Sequence, residues 1–387
     1  MSASRQHPVI SMVAGETSGD MLAARLLSGL RPRLPDSLMH GIGGPRMAEY
    51  GFVNDWPMEK LSVRGLFEVL AHYREISGIR NQLRERLLAE RPDVFIGVDA
   101  PDFNLGLETD LREAGIPTMH YISPSIWAWR GGRIKKIKKA VSHMLVVFPF
   151  EEAIYQQAGI PATYVGHPLA QVIPEQVDVQ GARQELGLDP RFPVIAMLPG
   201  SRMSEIKYNT TAFIGAARLL MQREPNLQIL VPMAGQKQRE YFIRLLVENK
   251  LDDVPLIVTD GKSHTCIAAA DAVMVASGTA TLEVALYKKP MVIAYKMMEA
   301  SWQILRHMGY QPWVGLPNIL EQRFIVPELL QSAATPQALA DALWTQLTDD
   351  ANRAHLTERF SAMHASLLRD SANVTAEAVM KVIAQSR

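Results

Sequence analysis

Short apolar runs recur along this chain, and nearly every one is followed by a segment of helical periodicity. "PVISMVAG" precedes "DMLAARLLSGL" and "PDVFIGVDA" precedes "FNLGLETDLREAG"; "IPTMHYIS", "SHMLVVFPF" and "IPATYVG" follow. Continuous apolar runs of this length suit strands covered on both faces, and the helices between them supply the cover. The alternation predicts parallel strands with crossover helices, a doubly wound α/β unit. Between Gly166 and Val179 it lapses into "GHPLAQVIPEQVDV", with two prolines and no helical face, which suits a connection between domains. The pattern then restarts with "PVIAMLPGS", "LQILVPMAG", "VPLIVTDG", "DAVMVASG" and "PMVIAYKM", predicting a second Rossmann-like domain. From Thr335 the chain is nearly all helical. The expected organisation is therefore a first domain over 1–168, a second over 169–345, and helices over 346–387 that bridge the two and pack back on the first. Two such domains facing each other would form a cleft at the carboxyl ends of both sheets, where open α/β folds bind ligands.

A chain of 387 residues has ample length for two cores. Lys plus Arg equals Asp plus Glu at 40 each, so no global field favours nucleic acid. One cysteine, Cys266, excludes an internal disulfide framework and a Cys-rich zinc site, which fits a reducing, cytoplasmic setting. The N-terminus reads as a first strand, with nothing to be cleaved. No apolar stretch approaches the ~20 residues that span a bilayer.

Two loops in the second domain carry chemistry. In "VASGTATLEVALYKKP" a strand feeds a helix through Ser277, Gly278 and Thr279, with Glu283 one turn inside. Unpaired N–H groups and the helix dipole, worth about 0.3–2 kcal/mol, suit a phosphate there, and Glu283 suits a ribose diol; the alternative is a capped helix with a solvated glutamate. In "MLPGSRMSEI", Gly200 and Ser201 turn into a helix and Arg202 offers a fork of donors for a diphosphate, unless it is a surface arginine after a tight turn. Together they suggest a nucleoside diphosphate held without a Walker lysine, since no GxxxxGK[ST] is present.

The first domain has "AGETSGD", which is neither GxSxG nor GxGxxG, and "VDAPDFN", where Asp99 and Asp102 flank a proline at a strand end. Asp99 is placed for a general base or for structure, and Asp102 chiefly for a helix cap. "YISPSIWAWRGGRIKKIKKA" sets Trp127 and Trp129 beside six basic residues between Arg130 and Lys139, either a solvated helix face or a contact for anionic lipid. "VRGLFEVLAHYREISGIR" adds an apolar face, groove or core, interrupted by Arg74 and Glu75. The ten histidines are dispersed, and neither HExxH nor D-x-D occurs, so no metal is expected.

"GETSGD", "DAPDFN", "YISPSIWAWR", "LPGSR", "SGTATLE" and "LPN" at Leu316–Asn318, in this order across most of the chain, resemble the lipid-A-disaccharide synthases. The resemblance implies a GT-B fold and an inverting transfer without a cofactor. UDP-2,3-diacylglucosamine and 2,3-diacylglucosamine 1-phosphate would give the β-1′,6 disaccharide and UDP at the cytoplasmic face of an inner membrane, with peripheral attachment. Carried over by motif, Asp99 would be the base. Gly200, Ser201, Arg202, Glu205, Ser277, Gly278, Thr279, Glu283 and Asn318 would bind the donor, and Glu16, Ser18 and Asn104 would lie on the acceptor side. The helical tail leaves room for a homodimer. Two other classes stay open on the residues alone: a different UDP-sugar enzyme such as an epimerase, and a nucleotide-sensing protein at a membrane surface.

Overall fold

The computed structural model describes residues 7–61, 66–127, 131–305 and 311–386. The chain divides into two compact units, Met1–Pro168 with Ser366–Arg387, and Leu169–Ala365.

The first unit holds seven parallel strands: β1 (Val9–Ala14), β2 (Leu38–Gly43), β3 (Val53–Pro57), β4 (Val94–Val98), β5 (Thr118–Tyr121), β6 (His143–Val146) and β7 (Ala162–Tyr164). Their order is β3-β2-β1-β4-β5-β6-β7. The crossovers carry α1 (Thr17–Leu30), α2 (Pro45–Ala48), α3 (Leu66–Glu90), α4 (Pro101–Glu113), α5 (Ile134–Ala140) and α6 (Pro149–Gln157). β1 and β4 are buried at every position, which is why they read as apolar runs, broken only by Ser11 in β1. β2 and β3 escape the apolar pattern. Gly41 in β2 has φ +139°, and a Cβ there would lie 2.1 Å from the Met12 carbonyl oxygen, so the strand gives up side chains to approach β1. β3 is half-exposed at the sheet edge.

The second unit opens with α7 (Pro168–Val172) and α8 (Val179–Glu185). Six parallel strands follow: β8 (Val194–Leu198), β9 (Gln228–Met233), β10 (Ile257–Asp260), β11 (Ala272–Ala276), β12 (Met291–Tyr295) and β13 (Glu328–Leu330), in the order β10-β9-β8-β11-β12-β13. Around them lie α9 (Met203–Arg223), α10 (Gln236–Glu248), α11 (Ser263–Ala269), α12 (Thr279–Leu286), α13 (Glu299–Leu305), α14 (Leu316–Glu321), α15 (Pro336–Thr348) and α16 (Asp350–Leu367). α17 (Ser371–Ser386) packs on the first unit, against α1. The return thus begins at Ser366 and not at residue 346. α16 stays with the second unit because its Leu356 and Phe360 are fully buried, Arg359 pairs with Glu321, and His364 Nε2 donates to the Ala170 carbonyl at 2.8 Å.

Candidate functional site

In each sheet the strand order reverses once, between β1 and β4 and between β8 and β11. Open parallel sheets bind ligands outside the carboxyl ends of such a pair. All four loops singled out from the sequence leave the sheets at these points.

In the first unit, Asp99 and Ala100 both adopt left-handed backbone, φ 53° and 44°, and Ile122 at the end of β5 has φ 77°. For residues with a Cβ this costs roughly 1–2 kcal/mol each, and such strain persists only where the surroundings enforce it. The enforcing bonds are visible. The Asp99 N–H donates to the Tyr121 carbonyl at 2.9 Å, and the Asp99 carbonyl accepts from Asn104 Nδ2 at 2.8 Å. The half-buried Asp99 carboxylate has no hydrogen-bond or ion-pair partner among the described residues. The β1 loop is its neighbour, since a Cβ on Gly15 would sit 3.4 Å from the Ala100 Cβ.

Asn104, expected on the acceptor side, is fully buried behind this turn and reaches only backbone. Next to it the fully buried Glu108 and His120 side chains meet at 2.7 Å. Burial pushes the Glu108 carboxyl above its ordinary value, against the pull of His120. Gly97 makes room for them, because a Cβ there would fall 2.2 Å from Glu108 Oε1. Among the described residues, Asn104 Oδ1, Glu108 Oε2 and His120 Nε2 have no hydrogen-bond partner.

The other residues singled out in this unit are placed as follows. Glu16 is half-buried at the N-cap of α1 and Ser18 is exposed at the second helical position. Asp20, given no role beforehand, is buried and accepts the Gly44, Arg46 and Met47 N–H groups at 2.9, 3.1 and 3.1 Å, so it fixes the loop after β2. Asp102 does not cap α4: Pro101 takes the first helical position, and Asp102 points out to Arg133 at 3.1 Å. The Trp127 indole turns inward, donating to Glu151 Oε1 at 3.1 Å and packing edge-on to Phe148 and Phe150. Burial pushes the Glu151 carboxyl up to about 7. Trp129 and Arg130 lie outside the described residues, as do the side chains at 66–73.

In the second unit the β8 loop is organised by Glu205, one turn into α9. Its Oε2 accepts the Ser201 and Arg202 N–H groups at 3.0 and 3.2 Å, and its Oε1 accepts Arg202 Nη1 at 2.8 Å. This is a capping box, so Glu205 holds the loop where a donor contact was expected. Gly200, φ +130°, is required because a Cβ would lie 2.3 Å from the Glu205 Cβ. The Ser201 hydroxyl and the rest of the exposed Arg202 fork face outward. Fully buried Asn209 ties the loop to the end of β12, donating to the Pro199 carbonyl and accepting the Lys296 N–H, both at 2.9 Å. No sequence motif announces it.

At the β11 loop, Gly278 has φ +140° and open space where a Cβ would be. Thr279 is exposed, and the first N–H groups of α12 lack partners within the helix. The Ser277 hydroxyl donates to the Val314 carbonyl at 3.1 Å. Asn318 is fully buried, with Nδ2 donating to Val326 and Glu328 and Oδ1 accepting the Ile325 and Val326 N–H groups. Its amide is saturated by these bonds, and through Glu328, which accepts the Val314 and Gly315 N–H groups, it supports the segment that meets Ser277. Glu283 lies 3.6 Å from His264 Nε2, an unforeseen partner on α11. The hydrogen bond to Glu283 raises the His264 pKa, against partial burial. Among the described residues no three His, Cys, Asp or Glu side chains are grouped to hold a metal ion.

The sequence model of the lipid-A-disaccharide synthetase family matches residues 10–382. This chain belongs to that family. The lipid-A-disaccharide synthase of Paraburkholderia phymatum is 58% identical over 379 residues, covering 98% of this chain and 97% of the relative. Among solved structures, a glycosyltransferase from Rickettsia africae superposes with a TM-score of 0.57 at 12% identity, covering 99% of each chain. The Neisseria meningitidis UDP-GlcNAc 2-epimerase, bound to UDP-GlcNAc, gives 0.60 at 11%, covering 98% of this chain and 100% of that one. The fold is thus GT-B, and it is shared by a transferase and an epimerase; membership of the synthase family selects a glycosyltransferase of lipid A biosynthesis over both the epimerase and the sensor readings. No helix among the described residues is long and apolar enough to cross a membrane.

Proposed function

We propose that the chain transfers 2,3-diacylglucosamine from UDP-2,3-diacylglucosamine to the 6-hydroxyl of 2,3-diacylglucosamine 1-phosphate, with inversion, releasing UDP. Asp99 takes the proton of the attacking hydroxyl, a role worth roughly 10²- to 10⁴-fold in rate. The observation that carries this is the Asp99 turn: an unpartnered carboxylate on strained backbone, at the point of the first sheet where ligands bind. Charge growing on the leaving diphosphate meets the Arg202 guanidinium, the Ser201 hydroxyl and the first-turn amides of α12 beside Gly278 and Thr279. Glu283 accepts from the ribose hydroxyls, with His264 orienting it. Glu205, Asn209 and Asn318 hold these donor loops in shape, and Asn104 does so for Asp99. Glu16 and Ser18 line the acceptor side. α5 supports contact with an anionic bilayer: Lys135, Lys136, Lys138 and Lys139 are exposed while Ile137 and Ala140 are buried.

The test is acceptor-dependent UDP release by the wild type and by Asp99→Asn in detergent. The variant should lose at least 100-fold in kcat and keep its calorimetric affinity for UDP. Full activity in the variant ends the base assignment, and UDP release without acceptor would point to hydrolysis.

A further inference from the structure

The amino ends of β11 and β12, opposite the nucleotide loops, border a cavity of about 380 Å³. Its walls include Lys288, Lys289, Arg353 and Thr357. A second cavity of about 400 Å³ adjoins it, sharing Asp271 and Arg353. β11 is five residues long. At about 3.3 Å per residue the cavity is therefore ~16 Å from the Ser277–Gly278 turn, too far to be part of the diphosphate contact.

Lys289 is the unusual group. It is only 8% exposed, and its ammonium makes no hydrogen bond or ion pair with any described residue. Burial depresses it to about 8. The neighbouring acid, Asp271, is already engaged by Arg183 at 2.8 Å and by the Val194 N–H at 2.8 Å. Lys288 is steered by His364 Nδ1 at 2.7 Å and the Pro174 carbonyl at 3.3 Å. Arg353 donates to the Leu347 carbonyl at 3.5 Å and pairs with Asp350, whose side chain is 93% exposed, so that pair is weak. A buried cation without a direct hydrogen-bond or ion-pair partner is costly, and folds keep one where something completes it.

We propose that this cavity is a second anion site, which takes a phosphate-bearing ligand on Lys289, Lys288 and Arg353, separate from the nucleotide loops. A compact oxyanion with two charges matches three cations around a cavity whose one inner carboxylate is neutralised. The phosphate reaches it either as a free polyphosphate or as a lipid headgroup.

Pyrophosphate binding is measured by calorimetry on the whole protein saturated with UDP, at constant ionic strength, so that the diphosphate loops are occupied. Vesicles containing phosphatidic acid are floated in parallel. Lys289→Met should remain folded, with a thermal midpoint equal to or above the wild type, because it removes a buried charge. Arg353→Gln, altered at the cavity's outer wall, serves as the second variant. Loss of at least tenfold in pyrophosphate affinity in both variants supports a soluble ligand. Loss confined to vesicle flotation supports a headgroup. Equal behaviour of wild type and both variants in both arms overturns the proposal.

Discussion

Replacing Asn104 by alanine isolates the enforcement of the Asp99 turn. The two left-handed residues, Asp99 and Ala100, store roughly 2–4 kcal/mol of backbone strain. The Asn104 amide opposes it with a bond worth about 0.5–1.5 kcal/mol net, and its loss leaves a partly buried carbonyl unsatisfied at about 1–3 kcal/mol. A loss of about 1.5–3 kcal/mol in the preference for the productive turn is about 10- to 150-fold in kcat. Stability should suffer less, because the substitution also deletes Asn104 Oδ1, itself a buried acceptor without a partner. A drop in thermal midpoint of about 2–4 °C, near 1 kcal/mol for a unit of this size, is expected. The assay is steady-state UDP release alongside calorimetry with UDP. The variant should lose kcat while UDP affinity stays within twofold. A kcat within about twofold of wild type, or a loss matched by UDP affinity, would refute the positioning role.

Arg202→Ala should weaken UDP binding about tenfold, discounted for the exposure of the guanidinium; unchanged calorimetric affinity would move the diphosphate elsewhere. Glu151, raised from 4.5 to about 7 by burial, holds its proton in the folded state across a range where the unfolded chain releases it. Stability should therefore fall as pH rises from 4.5 to about 7 and level off above, by up to about 3 kcal/mol. Glu151→Gln should flatten that slope in urea titrations, and an unchanged slope would place the titration elsewhere. Gly41→Ala sets a Cβ 2.1 Å from the Met12 carbonyl. It should cost more than about 3 kcal/mol by urea midpoint, and a near-neutral result would mean that the β1–β2 approach yields easily.

What could be read from the sequence follows burial. β1, β4, β8 and β11 are almost entirely apolar, Ser11 in β1 excepted, because both their faces are covered, and their loops stand out because glycine and hydroxyl residues interrupt those runs. β2 hides its strand character behind Gly41 and Gly43, and β13 is a three-residue, half-buried strand. The loop contents were legible, their supports were not. Glu205 and Asn318 look like ligand contacts in a motif, yet the Glu205 carboxylate accepts from backbone three and four residues before it, and the Asn318 oxygen from backbone seven and eight residues on. Asp20, Asn209 and His264 lie 15 or more residues from a partner, so no local spacing signals them. Asp102 shows the converse, where a residue typical of caps is displaced from that position by Pro101.

The contact of α17 with α1 bears on the order in which the protein is made. The two helices approach so closely at Gly29 that a Cβ would lie 2.1 Å from the Ala372 carbonyl oxygen, so α17 is a wall of the first unit and not an appendage. That unit's other strands and helices are complete by Pro168, but its last wall begins only at Ser366. At 5–20 residues per second, the intervening stretch delays it by about 10–40 s, during which the second unit emerges and can close. The apolar face of α1 waits uncovered through that interval. The half translated first is the half finished last, and a released chain truncated before Ser366 would carry a complete second unit and an open first one.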